Sequence, residues 1–167
     1  MKILFMGAPG SGKSTQGKMW AEKHGWVWLS TGEMLRNSKE GWVQEKLATG
    51  ELFDDDFITK MALEEIRKYE NLILDGFPRT LVQAKKMVEA GVKLDKIIEI
   101  EVSVEEITKR MLLRGRSEDN ADVIGKRVSI YEATRDEIVK YLIGTGVKYE
   151  KVDGEGTPEE IQERILL

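Results

Sequence analysis

The chain has 167 residues, of which 41% are hydrophobic and 34% charged, enough apolar material for one packed domain. A net charge of −4 excludes nucleic acid as the main partner, so any anion has to be met by a local cluster of Lys and Arg. The absence of cysteine excludes disulfides and thiolate zinc sites, and no stretch reaches the ~20 apolar residues of a membrane span, so a cytoplasmic protein with no membrane contact is expected.

In chain order, Ile3-Leu4-Phe5-Met6 reads as a short buried strand, too short before the glycines that follow to be a leader segment. Gly7-Ala8-Pro9-Gly10-Ser11-Gly12-Lys13-Ser14 then fits the spacing G-x-x-x-x-G-K-S/T, and a helix runs on through Ala21. Strand, glycine loop and helix together make a phosphate-binding loop. The glycines let successive N–H groups turn inward, and the helix start adds its unpaired amides and positive dipole end. Lys13 supplies a mobile charge for the terminal phosphates, and Ser14 or Thr15 a hydroxyl for a phosphate or Mg²⁺.

Gly25 ends this helix, leaving His24 as a solvated C-terminal residue with no chemistry assigned. Trp26-Val27-Trp28-Leu29 reads as a second strand whose tryptophans serve packing rather than base stacking. Ser30-Thr31-Gly32-Glu33 opens a helix that Thr31 can cap, unless its hydroxyl faces a ligand. Asn37 to Gly50 is short and polar, suggesting a small mobile helical subdomain. Asp54-Asp55-Asp56 resembles a metal cluster, but acids before the stripe Phe57, Ile58, Met61, Ala62 and Ile66 suit the start of a helix better.

Asn71-Leu72-Ile73-Leu74 has the near-continuous apolar run of a strand buried on both faces and leads into Asp75-Gly76-Phe77-Pro78-Arg79-Thr80. An acid at the carboxyl end of a parallel strand, beside a phosphate loop, is placed for Mg²⁺. A helix with Leu81, Ala84 and Val88 inward follows, then a strand over Lys96–Val102. The next helix puts Val104, Ile107 and Met111 on its core side and Arg110 and Arg114 on a basic edge. After the polar break at 115–120 a long helix turns Ile124, Val128, Tyr131, Ile138 and Leu142 inward, with Arg127 beside that stripe. A strand over Val147–Val152 and a helix capped by Thr157-Pro158-Glu159-Glu160 complete the chain. Alternating strands and helices imply an α/β fold whose parallel sheet is covered on both faces, with the strands' carboxyl ends on one rim.

Arg36, Arg79, Arg110, Arg114, Arg116 and Arg127 all follow strand ends or border the polar break. In an acidic chain, that much local positive charge suits more anion than one nucleotide carries. It points to two phosphorylated substrates and phosphoryl transfer between them. A phosphate acceptor is already ionised at neutral pH, so no general base is needed.

Gly7 to Lys13, Ser30-Thr-Gly-Glu-Met-Leu-Arg36, Asp75-Gly-Phe-Pro-Arg-Thr80 with Gln83, and Arg114-Gly-Arg116 followed by Lys126-Arg127 resemble the adenylate kinases, in that family's order and over nearly the whole chain. The resemblance implies a P-loop NTPase fold with five parallel strands. It implies a core of 1–29, 60–113 and 121–167, a helical monophosphate-binding segment at 30–59 and a short lid at 114–120. It assigns Gly10, Ser11, Gly12, Lys13, Ser14 and Thr15 to ATP, with Arg110, Arg114 and the backbone at Gly156. Thr31, Arg36, Glu51, Leu52, Phe53, Gly76, Phe77, Pro78, Arg79 and Gln83 fall to AMP. Arg116 and Arg127 bridge toward the transferred group, and with Lys13, Arg79 and Arg114 form the implied catalytic set. Asp75 holds Mg²⁺ through water, no zinc is expected, ADP is the product, and a monomer is implied.

The departures from the family pattern are Ser14 for glycine, Glu118 for the first aspartate after the lid arginine, a shortened monophosphate segment, and a lid without a zinc-bearing insertion. The alternatives are a pyrimidine monophosphate kinase, disfavoured by Thr80 and Gln83, a hydrolysing NTPase, and a non-catalytic nucleotide-binding module. The Gln83 amide matches the adenine edge in one orientation and guanine in the other, which leaves purine choice open.

Overall fold

Residues 1–115 and 120–165 are described by a computed structural model, and among them five strands alternate with eight helices. Strands β1 (Lys2–Met6), β2 (Val27–Ser30), β3 (Leu72–Asp75), β4 (Lys96–Glu101) and β5 (Lys148–Asp153) form one sheet in the order β2-β3-β1-β4-β5. Every pairing is parallel. This is the α/β fold with a doubly covered parallel sheet that the alternation of strands and helices implied, and the P-loop NTPase fold that the resemblance implied.

Side-chain alternation explains why both sheet faces are covered. On β1, Leu4 and Met6 enter a core that includes Leu72, Leu74, Ile97 and residues of α4 (Asp55–Ile66), α5 (Leu81–Glu89) and α7 (Ala121–Gly144). Ile3 and Phe5 enter the opposite core with Ile73, Ile98, Ile100 and Val152, closed by α1 (Lys13–His24) and α8 (Pro158–Arg164). A smaller cluster joins Ile107 and Met111 of α6 (Val104–Arg114) to Ile124 and Val128 of α7.

Local chemistry sets the ends of the helices. Gly12, at φ 91°, takes the left-handed backbone that starts α1, and Gly25 ends it, with its N–H reaching the carbonyls of Ala21 and Glu22. Trp26 continues that turn instead of joining β2, and packs with Trp28 against the core. His24 lies at this helix end and stacks on Trp20 with ring centroids 3.5 Å apart. Ser30, not Thr31, caps α2 (Thr31–Arg36), because Thr31 is already helical. Asp54 caps α4 by accepting from the N–H groups of Asp56 and Phe57. Among the described residues no group of His, Cys, Asp or Glu could hold a metal by itself, so the aspartate run is a helix start. The Thr157–Glu160 capping box starts α8 as its sequence predicts. Val104 departs from expectation: as the first residue of α6 it is 56% exposed. On α5 the buried side chains are Gln83, Ala84 and Met87, while Leu81 and Val88 are half-buried. Among the described residues no helix is long and apolar enough to cross a membrane.

The register positions the site. Phe5 and Ser30 both pair with Asp75, so the loops that begin at Gly7, Thr31 and Gly76 leave the sheet side by side. From β1 the chain passes outward to β2, and from β3 it passes to the other side of β1. A parallel sheet opens its ligand crevice at such a switch of direction.

Candidate active site

At the carboxyl rim the loops wall a cleft of about 380 Å³. Its floor is the phosphate loop, with Gly10, Gly12, Lys13, Ser14 and Thr15 facing in. Ser11 turns away and is fully buried under the loop, its hydroxyl without a protein partner. Lys13 Nζ folds back on the loop and donates to the Ala8 carbonyl at 3.3 Å. Ser14 Oγ donates to Asp75 Oδ2 at 2.5 Å, and Asp75 is 2% exposed. A hydroxyl and a carboxylate thus meet beside Lys13 as paired hard oxygen donors.

Across the cleft, Thr31 Oγ1 and Arg79 Nε both donate to the Gly76 carbonyl at 2.8 Å. Gly76 has φ 81°, and a Cβ there would lie 2.8 Å from Arg79 Nη2 and 2.9 Å from Thr31 Oγ1, so only glycine fits. A Cβ at Gly32 would lie 3.3 Å from Arg36 Nη1 and 3.6 Å from Arg79 Nη2, which shows two guanidinium groups converging on one spot. Arg79 is exposed overall, with protein packed close round its guanidinium where it lines the cleft. That enclosure lowers its pKa from the ordinary arginine value; Asp75 opposes the shift, and Arg127 and Arg36 add to it by repulsion. The arrangement has the charge and geometry that suit a multiply charged anion.

Gln83 lines the cleft nearby and is 1% exposed. Leu52 and Phe53, with Leu35 and Ile58, give this end an apolar wall. Phe77, Pro78 and Glu51 also line the cleft. From α7, Arg127 Nη2 donates to the Leu47 carbonyl at 3.0 Å and Lys126 pairs with Glu51 at 3.0 Å, which ties α3 (Gly41–Thr49) and the loop after it to the core. Arg114 lines the cleft from the end of α6. Arg110 joins three parts of the rim: Nε binds Glu106 at 2.8 Å, Nη1 the Ser11 carbonyl at 3.4 Å and Nη2 the Gly154 carbonyl at 3.0 Å. Gly156 does not line the cleft, and the Gly154 contact of Arg110 is what links its turn to the site. Arg116 and Glu118, with the rest of 116–119, lie outside the described residues.

One part of the cleft wall went unread in the sequence. Tyr131, Thr134, Arg135 and Ile138 extend it along α7, one to three turns past Arg127. Behind them Glu99, 3% exposed on β4, accepts from Tyr131 at 2.5 Å, Tyr149 at 2.5 Å and Arg135 at 2.7 and 2.6 Å. Burial pushes the Glu99 carboxyl up, but the bonds from Arg135, Tyr131 and Tyr149 outweigh it and hold the group below the ordinary carboxylate value. The signal for it was a lone acid inside the apolar run Ile97-Ile98-Glu99-Ile100, where a strand buried on both faces tolerates charge only when it is paired.

A parallel sheet with a lysine-bearing glycine loop at the tip of its central strand, facing a guanidinium cluster across one cleft, defines a P-loop kinase of small phosphorylated molecules. The family model for adenylate kinase matches residues 5–147. The adenylate kinase of Thermus thermophilus is 37% identical over 177 aligned positions, covering 98% of this chain and 94% of that enzyme. Those of Corynebacterium glutamicum and Maricaulis maris are 36% and 34% identical, covering 99% and 96% of this chain and 97% and 94% of theirs. The chain belongs to the adenylate kinase family, and it is an enzyme of phosphoryl transfer to nucleoside monophosphates.

Proposed function

We propose that the enzyme transfers the terminal phosphoryl group of ATP to AMP, reversibly and with Mg²⁺, giving two ADP. The observation that carries this reading is the pairing of two anion sites across one cleft: the phosphate loop with Lys13, and the convergence of Arg36 and Arg79 with Arg127 beside them. ATP phosphates lie along Gly10–Thr15 with Arg110 and Arg114 on the donor side, and the Gly156 turn borders the donor base. AMP takes the opposite end, its phosphate on Arg36 and Arg79 and its base against Phe53, Leu52 and Gln83. Residues 30–59 act as the monophosphate segment and 114–120 as a lid over the core.

Lys13, Arg79, Arg114, Arg116 and Arg127 hold the reactants in line and neutralise charge spreading over the transferring group, which positioning and electrostatics can do without a base. The oxygens of Asp75 and Ser14, with Thr15 beside them, suit a small hard cation, and they suit Mg²⁺ better than zinc. Asp75, Ser14 and Thr15 would hold Mg²⁺ there, and the ion would supply positive charge that offsets the negative charge of the transferring phosphates.

The test is a coupled assay of ADP formation from ATP with AMP, GMP, CMP and UMP in turn, with and without Mg²⁺. The reading expects AMP to give the highest kcat/KM and chelation to abolish turnover. A best rate with CMP or UMP rejects AMP as acceptor and leaves the kinase class standing.

A further inference from the structure

The side-chain amide of Gln83 has both ends engaged. Its Oε1 accepts from the Arg79 backbone N–H at 2.7 Å, and its Nε2 donates to Asp55 Oδ1 at 2.8 Å. Thr80 Oγ1 donates to the same Asp55 oxygen at 2.9 Å and accepts from the Gln83 N–H at 3.1 Å. These partners cannot exchange roles, since a backbone N–H only donates and a carboxylate only accepts. Turning the amide over would set Oε1 against the Asp55 carboxylate and Nε2 against the Arg79 N–H. Two hydrogen bonds, one of them charge-assisted, would be replaced by two repulsions.

We propose that Asp55, together with the Arg79 N–H, locks the Gln83 amide in the orientation that selects adenine over guanine, making Asp55 a positioning residue for base choice. The inference rests on the reading that Gln83 faces the acceptor's base. In the locked state one Oε1 lone pair and one Nε2 hydrogen remain for a ligand. Adenine offers an amino donor and a ring-nitrogen acceptor on its Watson–Crick edge, which these match. Guanine in the same seat offers an oxo acceptor and a ring N–H donor, so oxygen faces oxygen and N–H faces N–H. A free amide would turn over and serve both. Asp55 sits at the start of α4 and Gln83 on α5, so the lock forms only when the two helices are docked.

The experiment compares kcat/KM for AMP and GMP in the wild type and in Asp55→Ala. The variant is expected to lower the AMP:GMP ratio by about tenfold or more, through a higher KM for AMP and a lower one for GMP, with KM for ATP unchanged. A purely structural role for Asp55 would depress both substrates together, so an unchanged ratio in the folded variant overturns the lock however far total activity falls. If Asp55→Ala does not fold, Asp55→Asn carries the same test, because it keeps the side chain's size and offers Gln83 either end of an amide. A wild type that favours CMP or UMP rejects the acceptor reading and this proposal together. A purine-selective wild type with an unchanged variant ratio rejects this proposal alone.

Discussion

Ser14 Oγ donates to Asp75 Oδ2 at 2.5 Å, joining the first turn of α1 to the carboxyl end of β3, 61 residues away in sequence. The bond fixes which way the Asp75 carboxylate presents its oxygens to the cleft. A partner of this kind orients a metal-facing ligand, and its removal typically costs about 10–100-fold in metal affinity or activity. Ser14→Gly, which restores the residue usual in the family, is therefore expected to raise the Mg²⁺ concentration for half-maximal turnover about tenfold. Titrating Mg²⁺ at saturating nucleotide checks it, and an unchanged midpoint shows that Asp75 needs no such partner.

Lys13 lies at the cleft floor with its Nζ folded onto the Ala8 carbonyl at a long 3.3 Å, a contact easily exchanged for phosphate oxygen. Lys13→Met keeps the stem and removes the charge. The expected result is a fall in kcat of about two orders of magnitude or more, with circular dichroism and melting temperature close to wild type. Near-normal turnover in the folded variant would place the charge stabilisation elsewhere.

The parts of this site legible in the sequence are those whose chemistry depends on neighbours in the chain. Gly7 to Ser14 and Asp75 to Thr80 each carry their geometry within eight residues, so glycine spacing marked the first and an acid at a strand end marked Asp75, while the resemblance to the adenylate kinases supplied the roles of Arg79 and its neighbours. The sheet was legible for the same reason, since near-continuous apolar runs between helical stripes suit only a doubly covered parallel sheet. The pairings were not. Asp55 meets Gln83 across 28 residues, Arg135 meets Glu99 across 36 and Lys126 meets Glu51 across 75. Crossover connections bring these partners together, and no local pattern records which acid a distant cation will find.

The Glu99 network gives a stability prediction with a definite pH window. The Glu99 carboxyl is held below its ordinary value of 4.5, so the stability it contributes is complete above that pH and is lost as pH falls through the depressed folded value. Burial, and then their bonds to Glu99, raise Tyr131 and Tyr149 above their ordinary value of 10.0, so their contribution is complete below that pH and lost as pH rises through the folded values. Glu99→Gln leaves Arg135 without its buried partner, with only the exposed Asp136 carboxylate still paired to it, and is expected to cost about 2 kcal/mol or more at pH 7. Denaturant melts from pH 3 upward check the assignment: the gap between variant and wild type should close at the acid end. A gap independent of pH would show that packing, not charge, sets the cost.

Arg36, Arg79 and Arg127 stand close enough for Arg79 to feel both neighbours as repulsion, with Asp75 opposing them. In the ligand-free protein that convergence of like charge is a cost, and a bound dianion turns it into attraction. Stability and affinity should therefore respond in opposite directions when one guanidinium is removed. Arg36 is the cleanest choice, because the Nε of Arg79 also holds the Gly76 carbonyl and Arg127 also holds that of Leu47. Arg36→Met keeps the aliphatic stem at the end of α2 and deletes the charge. The ligand-free melting temperature is expected to stay level or rise, while KM for AMP rises about tenfold or more, as losing a charge-assisted bond to phosphate requires. The stabilisation that saturating AMP confers on the wild type should shrink in parallel, because ligand-linked stability follows affinity. Melting curves with and without AMP, beside initial rates at saturating ATP, test both halves. A ligand-free protein that melts much lower, with AMP affinity intact, would make Arg36 a structural residue and leave the anion site to the other two arginines.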